Sequence, residues 1–438
     1  MKSVVVLCLA VTFLACRTSS RPGLFTKQTP HELYGSKISN AGLQTTILGR
    51  SWFNAAASAV AQPITINKPY KERGSFSAEL PSATGLRFVG VRGEKLLIKI
   101  SRNPTNGFRL YLDLWQQDTT GNSQPRLIAS SDTTGLVIQH EVEKSGYFIL
   151  RIQPELLQNC EYTVEISATA ALAFPIKQSR KNQIQSYWGA DRDAGARRHE
   201  GVDIFAPRRT PVLASANGKV TRVNENNLGG KVVWLRPDKK DYTLYYAHLD
   251  SQVVVDGQSV VVGDTLGLLG NTGNARTTAP HLHFGIYTFG GAINPLPFIN
   301  PDYPTVPGIR TDVSATGKNL RTAGKQNKIY HMPDANSEVT MELPRATLLE
   351  VEAATGDFYR VRIPDGRRGY IRGSATQSLS PIRSISISST LPLLFEPETL
   401  SPSKLLLKSG DLVKVLAEFK SFSYVVTKDS LTGWTRDN

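Results

Sequence analysis

The chain has almost no cysteine: three residues in 438, at positions 8, 16 and 160. It also lacks a long hydrophobic run. The apolar stretch at 4–15 falls short of the ~20 residues that a membrane-spanning helix needs. No Lys/Arg block and no aromatic RNA-binding motif is present, which excludes nucleic acid as a partner. Long helical periodicity is missing from residues 172–300. What remains is 40% apolar and 20% charged, the composition of a globular protein, in a length that fits roughly three domains. A net charge of +14 favours residence near anionic polymers.

Lys2, the short apolar run and the small residues after it predict an export signal over 1–16. Phe13-Leu14-Ala15-Cys16 resembles a bacterial lipoprotein signal, with Phe13 where Leu is usual. That resemblance implies a lipid on Cys16 and an exported, membrane-anchored protein of the cell envelope or periplasm. Cys8 would leave with the signal. Cys160 is then alone, so no intramolecular disulfide forms, and it reads as a small buried hydrophobe.

Residues 17–70, rich in Ser, Thr, Gly and Pro, read as a tether with partial structure. From 71 to 170, half-buried strands alternate over 96–100, 110–114, 147–152 and 162–166, which predicts a β-sandwich. Residues 171–303 are again strand-rich, over 211–214, 218–223, 231–235 and 242–246. Glycines 257, 263, 267, 270 and 273 read as bends needing positive φ. This segment reads as an antiparallel sheet folded around a groove. Beyond a Pro-rich stretch, Pro333 to Gly369 and Pro397 to Gly433 have equal separations. Self-similarity at about 64 residues marks two copies of one small β unit, over 315–378 and 383–438. The fold class expected is therefore mainly β: an N-terminal β-sandwich, a central antiparallel sheet with a groove, and two small barrels. Both repeats resemble bacterial SH3-like domains, which end in a Gly-Tyr or Gly-Trp strand, here Gly369-Tyr370 and Gly433-Trp434.

Four of the seven histidines lie in three short motifs: His199-Glu200-Gly201-Val202-Asp203, Tyr246-Ala247-His248-Leu249 and His281-Leu282-His283. Imidazoles plus one carboxylate make a mixed ligand set that zinc accepts, with one position left for water. Alternate residues of a strand share a face, so His281 and His283 point into one cleft while Leu282 and Phe284 point to the core. One of that histidine pair can ligate while the other stands beside the open position. Gly201 lets the backbone turn so that His199 and Asp203 reach one ion. His31, His140 and His331 stand alone and read as ordinary core or surface residues.

Residues 188–294 resemble the lysostaphin-type, LytM-like zinc endopeptidases of family M23. The likeness rests on Trp188-Gly189, the His199 motif with Ala206-Pro207 and Thr210-Pro211-Val212, and Thr272-Gly273-Asn274 with Pro280-His281-Leu282-His283-Phe284. It implies that His199, Asp203 and His283 bind Zn2+, and that His248 and His281 are catalytic, activating water and stabilising the oxyanion. It implies peptidoglycan peptides as substrate, hydrolysed by a metalloendopeptidase. Ala279 and Gly285 depart from the Gly and Glu that many members carry there. Relatives that have lost ligands regulate other wall hydrolases, and a non-catalytic envelope protein is the alternative reading. No ligand is missing here.

Overall fold

The structure, a computed structural model, describes residues 28–177, 183–192 and 195–436. The expected export signal over 1–16, with Cys8 and Cys16, and the first part of the expected tether lie outside the described residues. The described residues are mainly β. Among them no helix is long and apolar enough to cross a membrane.

The expected tether needs correction, because residues 30–61 hold two helices. Thr29 and Glu32 form a reciprocal capping box on Pro30–Asn40, and the Thr46 hydroxyl caps Ile47–Ala61. The second helix buries Gly49, Trp52, Ala56 and Ala59, a 3–4–3 spacing along one face. Trp52 donates its indole N–H to the Pro154 carbonyl at 2.9 Å, and His31 stacks on it at 4.5 Å. The helical spacing was present in the sequence, but the surrounding Ser/Thr/Gly composition masked it.

After the helices come two facing sheets. One runs in the order Ile64–Thr65, Thr84–Gly90, Gly146–Pro154, Leu110–Gln117, Arg126–Ser130. The other contains Tyr70–Phe76, Cys160–Ala170, Glu94–Asn103 and Val137–Glu141. Period-two alternation sends Leu86, Phe88 and Leu150 from one sheet against Ile98, Val164 and Ile166 from the other, all in one buried core. Cys160 belongs to that core, and burial pushes its thiol up to about 12, so it is inert.

The central sheet is antiparallel, in the order Ile184–Ser186, Val202–Phe205, His281–Thr288, Tyr242–Gln252, Gly230–Pro237, Gly218–Asn226, Ser259–Val260. Its inner face packs Val202, Ile204, Leu244, Tyr246, Leu282 and Phe284, none with measurable exposure. Of the glycines expected at positive φ, 257, 263 and 273 are so, but 267 and 270 are not. Those two allow close approach instead: a Cβ would lie 2.4 Å from the Ser251 carbonyl and 2.5 Å from the Asp250 amide nitrogen, respectively.

The C-terminal strands form two related units. Gly369 lies against Ile329 and Tyr330, and Gly433 against Leu393 and Leu394, the same contacts one repeat later. Tyr330 bridges Tyr370 as Leu394 bridges Trp434. The units are not beads on a string. Leu394, Phe419, Phe422 and Trp434 share a core with Leu348 and Tyr359. The strand Leu348–Thr355 pairs with Tyr70–Phe76 through Arg73–Ala354 and Gly74–Ala353, so one sheet runs from the N-terminal layer into the first repeat.

Candidate metal centre

Asp203 and His283 face each other as a register pair on antiparallel strands. His199 enters from the link just before Val202–Phe205, four residues ahead of Asp203. Asp203 Oδ1 lies 3.0 Å from His199 Nε2 and 3.0 Å from His283 Nδ1, and the two ring nitrogens are 3.0 Å apart. Tetrahedral zinc at ~2.0–2.2 Å from its ligands sets ligand atoms roughly 3.3–3.6 Å apart, so this triangle fits after a few tenths of an ångström of opening. These three residues form the one cluster of potential metal ligands found among the described residues.

The donor chemistry fits a cation as well. His199 Nδ1 is 2.9 Å from the Tyr187 carbonyl, which can only accept. Nδ1 is thus the donor to that carbonyl, and Nε2 is the ring atom that faces Asp203 Oδ1. Burial raises the Asp203 carboxyl, but hydrogen bonds and charge from His199 and His283 outweigh it and hold the group far below the usual carboxylate range. Burial also lowers His283, against the pull of Asp203. Three electron-pair donors thus converge in a buried place.

The chain bends at Gly201, as expected, without a positive φ. A Cβ there would lie 2.7 Å from the His283 ring and 2.6 Å from the Phe284 carbonyl. What glycine supplies is room for the ligand ring.

His248 and His281 stand beside this triangle, their rings 5.0 Å apart. His248 holds φ 61 where the strand Tyr242–Gln252 changes partner, from His281–Thr288 to Thr265–Leu269. Left-handed backbone in a histidine at such a break re-aims its side chain. Its Nδ1 meets the Thr272 carbonyl at 2.9 Å, and His281 Nδ1 meets the Ala279 carbonyl at 2.9 Å. Both rings therefore keep Nε2 as a lone-pair base. Burial, aided by the charges of His283 and His281, lowers His248 to about 4. His281 also stacks on Phe205, while Leu282 and Phe284 turn into the core.

The groove over these residues has a volume of about 850 Å3, and every lining residue lies within 186–287. Its lining includes Arg192, Arg197 and Arg198, and an aromatic cluster of Trp234, Tyr245 and Tyr287. Trp234 and Tyr245 are cross-strand partners with rings 4.3 Å apart. Gly285 leaves space for Tyr287, whose ring would be 2.9 Å from a Cβ there. The sequence reading missed this aromatic cluster. Its signal was an aromatic at the outward positions of three neighbouring strands. Arg192 and Ser186 were missed too, because nothing in the sequence reveals that they touch Asp203 and His199. His31, His140 and His331 are not in the groove.

A converging His–Asp–His set, flanked by two further histidines on an antiparallel sheet, could hold a metal ion. Residues 197–295 match the model of peptidase family M23, and residues 323–377 match that of the bacterial SH3 domain. The chain is 38% identical over 97 residues to peptidoglycan DD-endopeptidase ShyC of Vibrio cholerae, covering 22% of this chain and 22% of that protein. It is 35% identical over 127 residues to the L-Ala--D-Glu endopeptidase of Bacillus subtilis, covering 27% of this chain and 39% of that one. The chain thus spans well under half the length of these curated relatives. The catalytic domain of lysostaphin from Staphylococcus simulans is similar to it at 31% identity, with 27% of this chain and 92% of that domain covered and a TM-score of 0.25.

Proposed function

We propose that this protein is a zinc-dependent metalloendopeptidase that hydrolyses peptide bonds in bacterial peptidoglycan. The observation that carries the reading is the convergence of His199, Asp203 and His283 within 3.0 Å of one another, beside two histidines whose Nε2 atoms are free to take a proton. Zinc held by the three would act as a Lewis acid and lower the pKa of a water toward ~7. The protein residues do the rest. His248 or His281 accepts the water proton at Nε2 and later returns it to the leaving amine. The other ring takes a proton at Nε2 from solvent, donates it in a hydrogen bond to the developing oxyanion, and returns it to solvent when the products leave. Phe205 and the Ala279 carbonyl keep His281 in place, and the Thr272 carbonyl keeps His248. The aromatic cluster and the arginines that line the groove hold the peptide.

In this reading the N-terminal two-sheet layer is a sandwich serving as a spacer. The two C-terminal units are SH3-like barrels that hold the enzyme on the wall and raise the local substrate concentration. The chain is exported by the signal over 1–16 and anchored by lipid at Cys16.

The test is release of new amino groups from purified peptidoglycan, with and without chelator. Wild-type protein should release them, and chelator should stop it. His281→Ala should keep its zinc and lose about 10²–10⁴-fold in turnover. A zinc-loaded wild type that is inert, or a His281→Ala protein at full rate, would overturn the proposal.

A further inference from the structure

Asp203 uses only one of its oxygens toward the histidines. The other, Oδ2, accepts from Arg192 Nη2 at 2.6 Å. The same Nη2 donates to Ser186 Oγ at 2.7 Å, and Ser186 Oγ lies 3.3 Å from His199 Nδ1. One guanidinium thus reaches two of the three candidate ligands. Arg192 is not placed there by chance of a long side chain. It sits in the short strand Asp191–Arg192, paired with Arg197–Arg198 just ahead of His199. Backbone bonds from Gly189 N–H to the His199 carbonyl and from His199 N–H to the Ala190 carbonyl, 2.9 and 2.8 Å, tie that hairpin to the ligand.

We infer that Arg192 is a positioning residue that restricts Asp203 to one ligating oxygen and so keeps the remaining place beside the ion clear for water. This rests on the zinc-site reading above. A carboxylate beside a divalent cation can turn to offer both oxygens, and the second would fill the place that hydrolysis needs. A charge-assisted bond to Oδ2 opposes that turn. It also fixes the carboxylate plane, in the way that partners of ligands orient metal sites generally. Asp203 is nearly buried, its side chain 9% exposed, so Arg192, 34% exposed, supplies from the groove side a bond that solvent barely reaches.

The test uses the full chain with zinc alone as ligand. Its dissociation constant is measured by competition with a chromophoric chelator, for wild type, Arg192→Met, Arg192→Lys and Asp203→Ala. Arg192→Met should weaken zinc binding by about 10–100-fold, and Arg192→Lys should restore part of that. With cobalt(II) in place of zinc, wild type should give the strong visible absorption of a four-coordinate ion. Arg192→Met should lose intensity as the freed oxygen adds a donor. Thermal midpoints of the metal-free proteins show that the variants fold; if Arg192→Met does not, Arg192→Lys and its cobalt spectrum decide. Unchanged zinc affinity and an unchanged cobalt spectrum on loss of Arg192 overturn the inference while leaving the site reading intact. Equal zinc binding by wild type and Asp203→Ala overturns the site reading, and this inference with it.

Discussion

At the scale of single residues, the centre depends as much on what is absent as on its ligands. Gly201 has no side chain, and the His283 ring fills that space. Gly201→Ala should therefore push His283 off the triangle. The expected result is a loss of roughly 1–3 kcal/mol in stability, as overpacking of a tight site costs, together with weaker zinc binding. Equilibrium unfolding and a zinc titration would check it; unchanged values in both would show that the ring can shift without cost. The histidines illustrate how far sequence carries. The expected site residues His199, Asp203, His248, His281 and His283 line one groove; local i,i+2 and i,i+4 spacing pointed to four of them, and family likeness to His248. Arg192 was not, because its bond to Asp203 depends on how a hairpin folds back, and no spacing encodes that.

At the scale of elements, strands were easier to read than helices. Alternation over 96–100, 147–152 and 162–166 falls inside the observed strands Glu94–Asn103, Gly146–Pro154 and Cys160–Ala170. The two N-terminal helices went unread because the buried stripe of the second is made of small residues around Trp52, within a Ser/Thr/Gly-rich stretch. The packing at Trp52 is pH-sensitive. His31 stacks on Trp52, bonds Gln153 at 2.7 Å and is held at about 3 by burial and then by the charge of Arg151. An unfolded histidine takes its proton near 6.5. Between these values only the unfolded chain binds the proton, so His31 makes stability fall as pH drops from 6.5 toward 3, by up to about 1.4 kcal/mol per pH unit. His31→Gln keeps a donor for Gln153 but does not titrate. Its melting temperature should fall less than that of wild type between pH 7 and 5, and parallel curves would rule out His31 as the sensor.

At the scale of the whole molecule, the first C-terminal unit is joined to the N-terminal layer by buried charge. Glu72, with no measurable exposure, accepts from Arg360 at 2.7 Å, from Tyr70 at 2.6 Å and from Tyr162 at 2.7 Å. Removing one member of a buried pair costs more than removing both, because the survivor is left uncompensated. Arg360→Met should destabilise by about 3–5 kcal/mol, and Glu72→Met/Arg360→Met by less, both measured by denaturant unfolding. A double variant as unstable as the single one would mean that the network acts through packing and not through charge. Sequence by itself determined the β character, the 64-residue repeat and the side chains able to hold a metal, because alternation, self-similarity and short motifs are all written along the chain. Tertiary structure alone decided that Asp203 meets His283, that Arg192 takes the second carboxylate oxygen, and that the sheet of one unit continues into the next. Those contacts join residues from distant parts of the chain or across a folded hairpin, and only packing and hydrogen-bond register bring them together.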